Sequence, residues 1–443
     1  MMRLFGTDGI RGIAGAELDC SLAMRVGAAL GGKLKAYGKN IILGRDTRRS
    51  SDMLAAAISA GLCSFGLDVI DVGVCPTPAV AYLVTKCGAA GGVMISASHN
   101  PYEYNGIKVF GADGMKLPDS EEDEIEAVVN SPLQKSLSCE KIGRIYPSFE
   151  LIAQYEEHIK KAFGTSLSGM RIAIDCANGS TSVTANRIFA GLGAECIMLG
   201  NTPNGININS GCGSTDLTSI KWAVREGKCD AGVAFDGDGD RCIAVDGTGR
   251  EIDGDYIMAI LALGMKKRGI LASNTLVCTV MSNMGLRKFC DEHRLGLLET
   301  RVGDRYVLEA MNKYGYSLGG EQSGHIIFRD AMTTGDGQLT ALALLREIKE
   351  SGKSLEALAA CMRKYPQYTI NIEADNDAKA RLDEQTIKRI THFFENKLSD
   401  DGRILLRPSG TEPKIRIMVE AACDKVAEDC ASEVADEIKR LIL

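Results

Sequence analysis

Between residues 41 and 101 the chain passes through three short apolar runs. They are Ile41-Ile42-Leu43-Gly44, Leu67-Asp68-Val69-Ile70-Asp71-Val72-Gly73-Val74 and Gly91-Gly92-Val93-Met94-Ile95-Ser96, the last running into Ala97-Ser98-His99-Asn100-Pro101. Runs of this length bounded by turn residues predict buried strands. The stretches between them, 51–65 and Thr77-Pro78-Ala79-Val80-Ala81-Tyr82-Leu83-Val84, read as helices. Ser50 or Ser51 stands where an N-cap belongs, and Pro78 falls in a first helical turn. Strand–helix alternation of this kind predicts α/β units on a mostly parallel sheet.

The pattern restarts twice. Met170-Arg171-Ile172-Ala173-Ile174-Asp175 opens a second unit, whose strand Ala231-Gly232-Val233-Ala234-Phe235 ends at an aspartate cluster. Leu276-Val277-Cys278-Thr279-Val280 opens a third. The last part differs. Residues 367–372 alternate like an exposed strand, 377–398 read as one helix, and Ile404-Leu405-Leu406-Arg407 and Ile415-Arg416-Ile417-Met418-Val419 bracket a loop. Val426, Cys430, Val434 and Ile438 mark the apolar face of a C-terminal helix. The stretch 131–148, with Pro132 and Pro147 and no sustained periodicity, reads as a linker. The expectation is three related α/β mixed-sheet domains, at 1–148, 149–253 and 254–365, and a smaller C-terminal α+β domain at 366–443.

Composition agrees. A length of 443 residues fits about three or four domains. With 45% hydrophobic and 25% charged residues the chain is not disordered in bulk. Its net charge of −7 excludes a nucleic-acid binder that depends on a broad basic face. The 49 glycines cluster in stretches such as Gly6-Thr7-Asp8-Gly9 and Gly319-Gly320-Glu321, where backbone must approach a ligand. The 15 cysteines are odd in number and form no CxxC pair, so they lack metal-ligand spacing. Cys63, Cys242 and Cys278 sit in apolar runs and read as packing residues of a reducing, cytoplasmic setting. No apolar leader is read at the N-terminus, and the uncharged run 269–286 is too polar to cross a membrane.

Four motifs carry chemistry. In Asp236-Gly237-Asp238-Gly239-Asp240-Arg241 the carboxylates would face one side of an extended segment. Charges that close repel, and a hard divalent cation offsets the repulsion. An EF-hand is excluded, because Arg241 and Gly247 stand where its Gly and Glu belong. Three carboxylates leave room for a phosphate oxygen, as a catalytic Mg2+ needs; the plain alternative is a solvated acidic turn. In Ser96-Ala97-Ser98-His99-Asn100-Pro101 a serine follows a buried strand, where α/β proteins place ligands. It reads as a nucleophilic or phosphorylated serine, or as an Asn-Pro turn. Around Arg407-Pro408-Ser409-Gly410-Thr411-Glu412-Pro413, hydroxyls, backbone N–H groups, Arg407 and Arg416 can converge on an anion, unless this is an ordinary hairpin loop. In Gly319-Gly320-Glu321-Gln322-Ser323-Gly324-His325, Glu321 and Ser323 suit sugar hydroxyls, and His325 reads equally as an acid/base or a structural group. Gly352-Lys353-Ser354 is no P-loop, since Glu347 occupies the first glycine position; Gly352 reads as a helix stop.

These motifs in this order resemble the α-phosphohexomutase family, over essentially the whole chain from Gly6-Thr7-Asp8-Gly9-Ile10-Arg11-Gly12 to Arg407-Pro408-Ser409-Gly410-Thr411. The resemblance implies three α/β domains and a smaller fourth around a central cleft. Ile206-Asn207-Ile208-Asn209, Val302-Gly303-Asp304-Arg305-Tyr306-Val307 and Gln322 resemble the amino-sugar branch of the family. That branch interconverts glucosamine 6-phosphate and glucosamine 1-phosphate on the way to UDP-N-acetylglucosamine; a mannose- or glucose-phosphate mutase is the alternative. The resemblance further implies a phosphorylated Ser98 and one Mg2+ held by Asp236, Asp238, Asp240 and the phosphoserine. A hexosamine 1,6-bisphosphate would be the intermediate. Arg407, Ser409, Gly410, Thr411 and Arg416 would bind the non-reacting phosphate, and Glu321 and Ser323 the sugar. Arg11, Lys108, Arg241 and His325 would surround the reacting phosphoryl group, with Lys108 and His325 as candidates for proton transfer. A homodimer is common in the family.

Overall fold

The computed structural model describes residues 4–6, 8–131, 137–408 and 413–442. The chain divides into two compact units, one made of 1–281 and 295–361, the other of 282–294 and 362–443.

The larger unit carries three sheets. The first has seven strands in the order Phe5–Gly6, Gly9–Ile13, Tyr104–Gly111, Gly91–Ile95, Asn40–Arg45, Asp68–Val74, Ile145–Pro147. Its core is apolar side chains such as Leu30, Leu43, Ile58, Val93 and Ile107. The pairings of Asn40–Arg45 with Asp68–Val74 and Gly91–Ile95, and of Asp68–Val74 with Ile145–Pro147, are parallel. The other three are antiparallel. The expectation of a mostly parallel sheet is corrected here. The 96–103 connection is too short for a crossover, which needs a dozen residues or more, so the chain can only turn back.

The same turn occurs in the other two sheets. Ala231–Phe235 pairs parallel with Arg171–Asp175 and antiparallel with Cys242–Asp246. Leu318–Gly320 pairs parallel with Thr275–Thr279 and antiparallel with Ile326–Phe328. Each sheet thus has one place where a parallel-paired strand runs through a short loop into an antiparallel neighbour. Those loops are 96–103, 236–241 and 321–325.

The smaller unit holds a three-stranded antiparallel sheet with Lys414–Ala421 between Gln367–Glu373 and Gly402–Pro408. The helices Glu384–Leu398 and Asp424–Ile442 cover an apolar core that includes Ile390, Phe394, Ile417 and Val434.

Local details depart from expectation for identifiable reasons. The stretch 131–148 is more than a linker, since Ile145–Pro147 forms an edge strand, the position that tolerates proline. The helix Ser51–Ser64 has no side-chain cap. The Ser50 hydroxyl is taken by the Asn105 amide at 2.9 Å, and the Ser51 hydroxyl donates to Asp46 at 2.7 Å. The segment 377–398 is two helices, Asn376–Ala380 and Glu384–Leu398, because Asp383 caps the second through the Thr386 N–H. Val426 is exposed, and Ala427 and Ala431 join Cys430, Val434 and Ile438 on the buried face. All 15 cysteines are free thiols. Burial pushes the Cys75 thiol up to about 12, as fits a packing residue. No helix among the described residues is long and apolar enough to cross a membrane.

Candidate active site

The loops 96–103 and 236–241 meet at Ser98. The Ser98 Oγ donates to Asp236 Oδ2 at 2.5 Å, across 138 residues of sequence. Ser98 holds φ at +51°, a left-handed conformation that a non-glycine residue rarely adopts outside a constrained site. The next residue, His99, accepts from Arg241 Nη1 at 3.2 Å. Burial, with Arg241 and Arg11 nearby, lowers its pKa to about 4, so the ring is neutral near pH 7.

Asp236, Asp238 and Asp240 converge, but not through an extended segment. They lie on a tight turn between two strands, with Gly239 at φ +73°. The turn gathers one carboxylate oxygen from each within 4.8 Å of the others. All three residues are buried. Burial, then Asp240 and Asp238, raises the Asp236 pKa well above its ordinary value. Asp238 Oδ1 and Asp240 Oδ1 are buried without a hydrogen-bond partner. Buried carboxylate oxygens left without donors are costly. A divalent cation with oxygen ligands would satisfy them, so this donor set fits a metal ion.

Cations line the other side. The Lys108 ammonium, fully buried, lies 2.8 Å from Asp238, 2.9 Å from Asp8 and 3.5 Å from Asp240. Burial opposes its charge, but Asp238, Asp8 and Asp240 outweigh that and raise its pKa well above normal. Arg11 pairs with Asp8 at 2.5 Å and donates to Asn100 Oδ1 at 2.9 Å. His325 has Nδ1 at 3.6 Å from Asp240 and Nε2 at 3.5 Å from Asp304. Two influences compete on its ring. Burial favours the neutral form, but Asp240 and Asp304 prevail and raise its pKa to about 9. The Gly335 N–H, however, donates to Nε2 at 3.1 Å and requires that nitrogen to be unprotonated. Glu321 accepts from the Gly303 N–H at 3.1 Å, and burial raises its pKa. Ser323 is exposed in the same turn.

The structure therefore brings Ser98, the three aspartates, Arg11, Lys108, Arg241 and His325 together, with Glu321 four residues from His325. Arg407 and Arg416 belong to the smaller unit, where they stand directly opposite each other in the strand ladder. Like charges so placed repel, which suits a pair that binds an anion. Ser409, Gly410 and Thr411 lie outside the described residues.

Sequence reasoning passed over several residues. Lys116, partly buried, bridges Asp8 and Asp304 at 2.6 Å each, so each of its carboxylates also faces a candidate proton-transfer group. Thr77 donates to Asp238 at 2.6 Å. Asp46 and Arg48 support the serine loop from beneath. For the last two there was a signal, a polar Asp-Thr-Arg stretch directly after a buried strand.

Comparisons with known proteins identify the family. Models of the phosphoglucomutase/phosphomannomutase family match in four consecutive parts: alpha/beta/alpha domain I over residues 2–136, domain II over 153–249, domain III over 253–365 and the C-terminal domain over 370–437. A phosphoglucosamine mutase from Thermoanaerobacter sp. is 50% identical over 446 aligned positions, covering 99% of both chains. Another, from Ligilactobacillus salivarius, is 48% identical over 99% of this chain and 98% of its own. The fold matches a phosphoglucomutase/phosphomannomutase family protein from Burkholderia thailandensis, with a TM-score of 0.81, 24% identity, and coverage of 99% of this chain and 98% of that one. On four matching parts and full-length relatives at about half identity, this chain belongs to the phosphoglucomutase/phosphomannomutase family of mutases.

Proposed function

We propose that this chain interconverts glucosamine 6-phosphate and glucosamine 1-phosphate, with Ser98 as the phosphoryl carrier. The carrying observation is the contact between Ser98 Oγ and Asp236, inside a cluster whose other two carboxylates each keep a buried oxygen without a hydrogen bond. The full-length phosphoglucosamine mutase relatives support the amino sugar as substrate.

Asp236, Asp238 and Asp240, with the phosphoserine oxygen, would hold Mg2+, which supplies positive charge against the phosphoryl oxygens. A sugar hydroxyl attacks the phosphorus of phosphorylated Ser98. The new bond to the sugar oxygen forms as the bond to Ser98 Oγ breaks, giving hexosamine 1,6-bisphosphate and a free serine. The other phosphoryl group then returns to Ser98 by the reverse chemistry. Arg11, Lys108 and Arg241 stabilise the charge of the transferring group, and the gain comes from positioning and charge. His325, in the neutral form that the Gly335 N–H donation to its Nε2 requires, takes up the proton of the attacking hydroxyl, and the Lys108 ammonium is the candidate to donate one to the departing oxygen. Glu321 and Ser323 grip sugar hydroxyls. Arg407 and Arg416, together with Ser409, Gly410 and Thr411, would bind the phosphate that is not reacting. In this reading the enzyme works in the cytoplasm and feeds UDP-N-acetylglucosamine synthesis.

The test uses wild type and Ser98→Ala with glucosamine 6-phosphate, Mg2+ and a trace of glucose 1,6-bisphosphate, following glucosamine 1-phosphate and free phosphate. Wild type should form the 1-phosphate with little free phosphate, and the variant should lose nearly all of that rate. A variant that keeps the rate removes Ser98 as carrier. Turnover of plain hexose phosphates alone moves the substrate to glucose or mannose.

A further inference from the structure

Arg48 is fully buried, and its guanidinium is spent on the loop that carries Ser98. Its Nε donates to Asp46 at 2.8 Å. Nη2 donates to the carbonyls of Ser98 and Asn100, each at 2.9 Å. Nη1 donates to the carbonyls of Pro101 and Tyr104. No such fork can be built from a lysine ammonium. Asp46 is the counterweight. It accepts from the Ser96 hydroxyl at 2.6 Å, the Ser51 hydroxyl at 2.7 Å and the Arg48 N–H at 3.0 Å. Ser96 Oγ in turn accepts the Ser98 N–H at 3.0 Å.

A second element reaches the same two carbonyls. Asn209 Nδ2 donates to Ser98 O at 2.8 Å and to Asn100 O at 3.0 Å. The aspartate loop also presses close, since a Cβ on Gly237 would lie 2.5 Å from Ser98 O. The N–H and the carbonyl of a residue in left-handed conformation are thus both tied to Asp46, one through Ser96 and the other through Arg48.

From this we infer that Arg48, Asp46 and Asn209 form a carbonyl clamp that keeps Ser98 Oγ aimed at the aspartates through both halves of the reaction. The inference rests on Ser98 being the phosphoryl carrier. During turnover the side chain alternates between a phosphate of about −1.5 to −2 charge and a bare hydroxyl. Forces on the side chain change with that charge, whereas bonds to the backbone carbonyl do not. The clamp residues touch no reacting atom; they are positioning residues.

The test compares wild type, Arg48→Lys and Asn209→Ala. The rate of Ser98 phosphorylation by glucose 1,6-bisphosphate is followed in single turnovers by intact-protein mass, alongside steady-state kcat, KM and Tm. Arg48→Lys should lose about 100-fold in kcat and in the single-turnover rate, the scale of a small misplacement of a reacting group, with KM within about threefold. Asn209→Ala, whose side chain is only half-buried, should lose about tenfold in kcat with KM unchanged. Wild-type transfer by the folded fraction of Arg48→Lys overturns the clamp. If that variant does not fold, Asn209→Ala decides: the tenfold loss supports the clamp and a wild-type kcat overturns it. A wild-type protein that never carries phosphate on Ser98 overturns the carrier reading and the clamp together. A phosphorylated wild type with unaffected variants overturns the clamp alone.

Discussion

The serine loop 96–103 and the aspartate loop 236–241 occupy equivalent places, each turning a parallel-paired strand back into an antiparallel neighbour. Their hydrogen bonding differs. Beneath the serine loop, Arg48 and Asn209 saturate the carbonyls of Ser98 and Asn100, and Asp46 balances the charge. In the aspartate loop, Asp238 and Asp240 each keep a buried oxygen without a donor, and Asp236 has its pKa driven upward by burial and its neighbours. One loop is complete within the protein; the other is complete only with an added cation. A group that must be held still is satisfied internally, and a site that must bind a metal is left in deficit.

The sharpest way to break this contrast is Asp236→Asn. It removes a proposed metal ligand and should lower kcat by about 100-fold or more. It also relieves repulsion, so the metal-free variant should show a Tm at or above that of metal-free wild type. Added Mg2+ should stabilise wild type through binding to the native state and leave the variant's Tm unmoved. Thermal melts with and without Mg2+ read both effects.

Lys116→Met tests whether internal pairing matters equally elsewhere. Lys116 is the cation between Asp8 and Asp304, and removing it leaves two partly buried carboxylates with Arg11, Lys108 and His325 as their remaining partners. Losing these charge-assisted bonds should cost roughly 1–3 kcal/mol in denaturant unfolding. Adding Asp304→Asn should recover part of that loss.

Asp336 lies between the two extremes. It caps the helix Gly337–Ser351 through the Leu339 N–H at 2.9 Å and accepts from the Tyr155 hydroxyl at 2.9 Å. Even so, burial raises its pKa to about 6. The folded state therefore holds its proton more tightly than the unfolded chain does. This contribution to stability is fully present below about pH 4 and is lost as pH rises through about 6, with a size of roughly 2–3 kcal/mol. Asp336→Asn keeps a capping side chain and should flatten stability in that window, measured by urea midpoints from pH 4 to 7.

The smallest effect belongs to the residue just before the helix Ser51–Ser64. Ser50→Ala removes a hydroxyl that serves Asn105 and caps no helix, and should cost under about 1 kcal/mol. Asp19→Ala, which removes a true cap on the Leu22 N–H, should cost about 1 kcal/mol or more.

Much of the fold was legible because short apolar runs and helical stretches alternate with clear punctuation. The reacting loops were legible because each packs its chemistry into a few consecutive residues after a strand. Strand direction was less so, since it depends on the length of the 96–103 connection more than on the strands themselves. The aspartates suggested an extended alternation, but their intervening glycines permit the tight turn that is found. Arg48 and Lys116 could not be paired from sequence. The carbonyls that Arg48 binds lie about 50 residues away, and Asp304 is 188 residues from Lys116. A charged residue does not announce its partner. The Ser98 contact to Asp236 spans a similar distance. It was reachable only because both ends carried recognisable chemistry.

The most direct measurement follows a labelled phosphoryl group. Enzyme labelled on Ser98 with radioactive phosphate is mixed with glucosamine 6-phosphate and Mg2+ and quenched over the first turnovers. The expected result is transfer of the label into hexosamine phosphates at a rate no slower than kcat, with no labelling of Ser98→Ala. Label that leaves the enzyme more slowly than turnover, or that appears as free phosphate, would contradict Ser98 as the carrier.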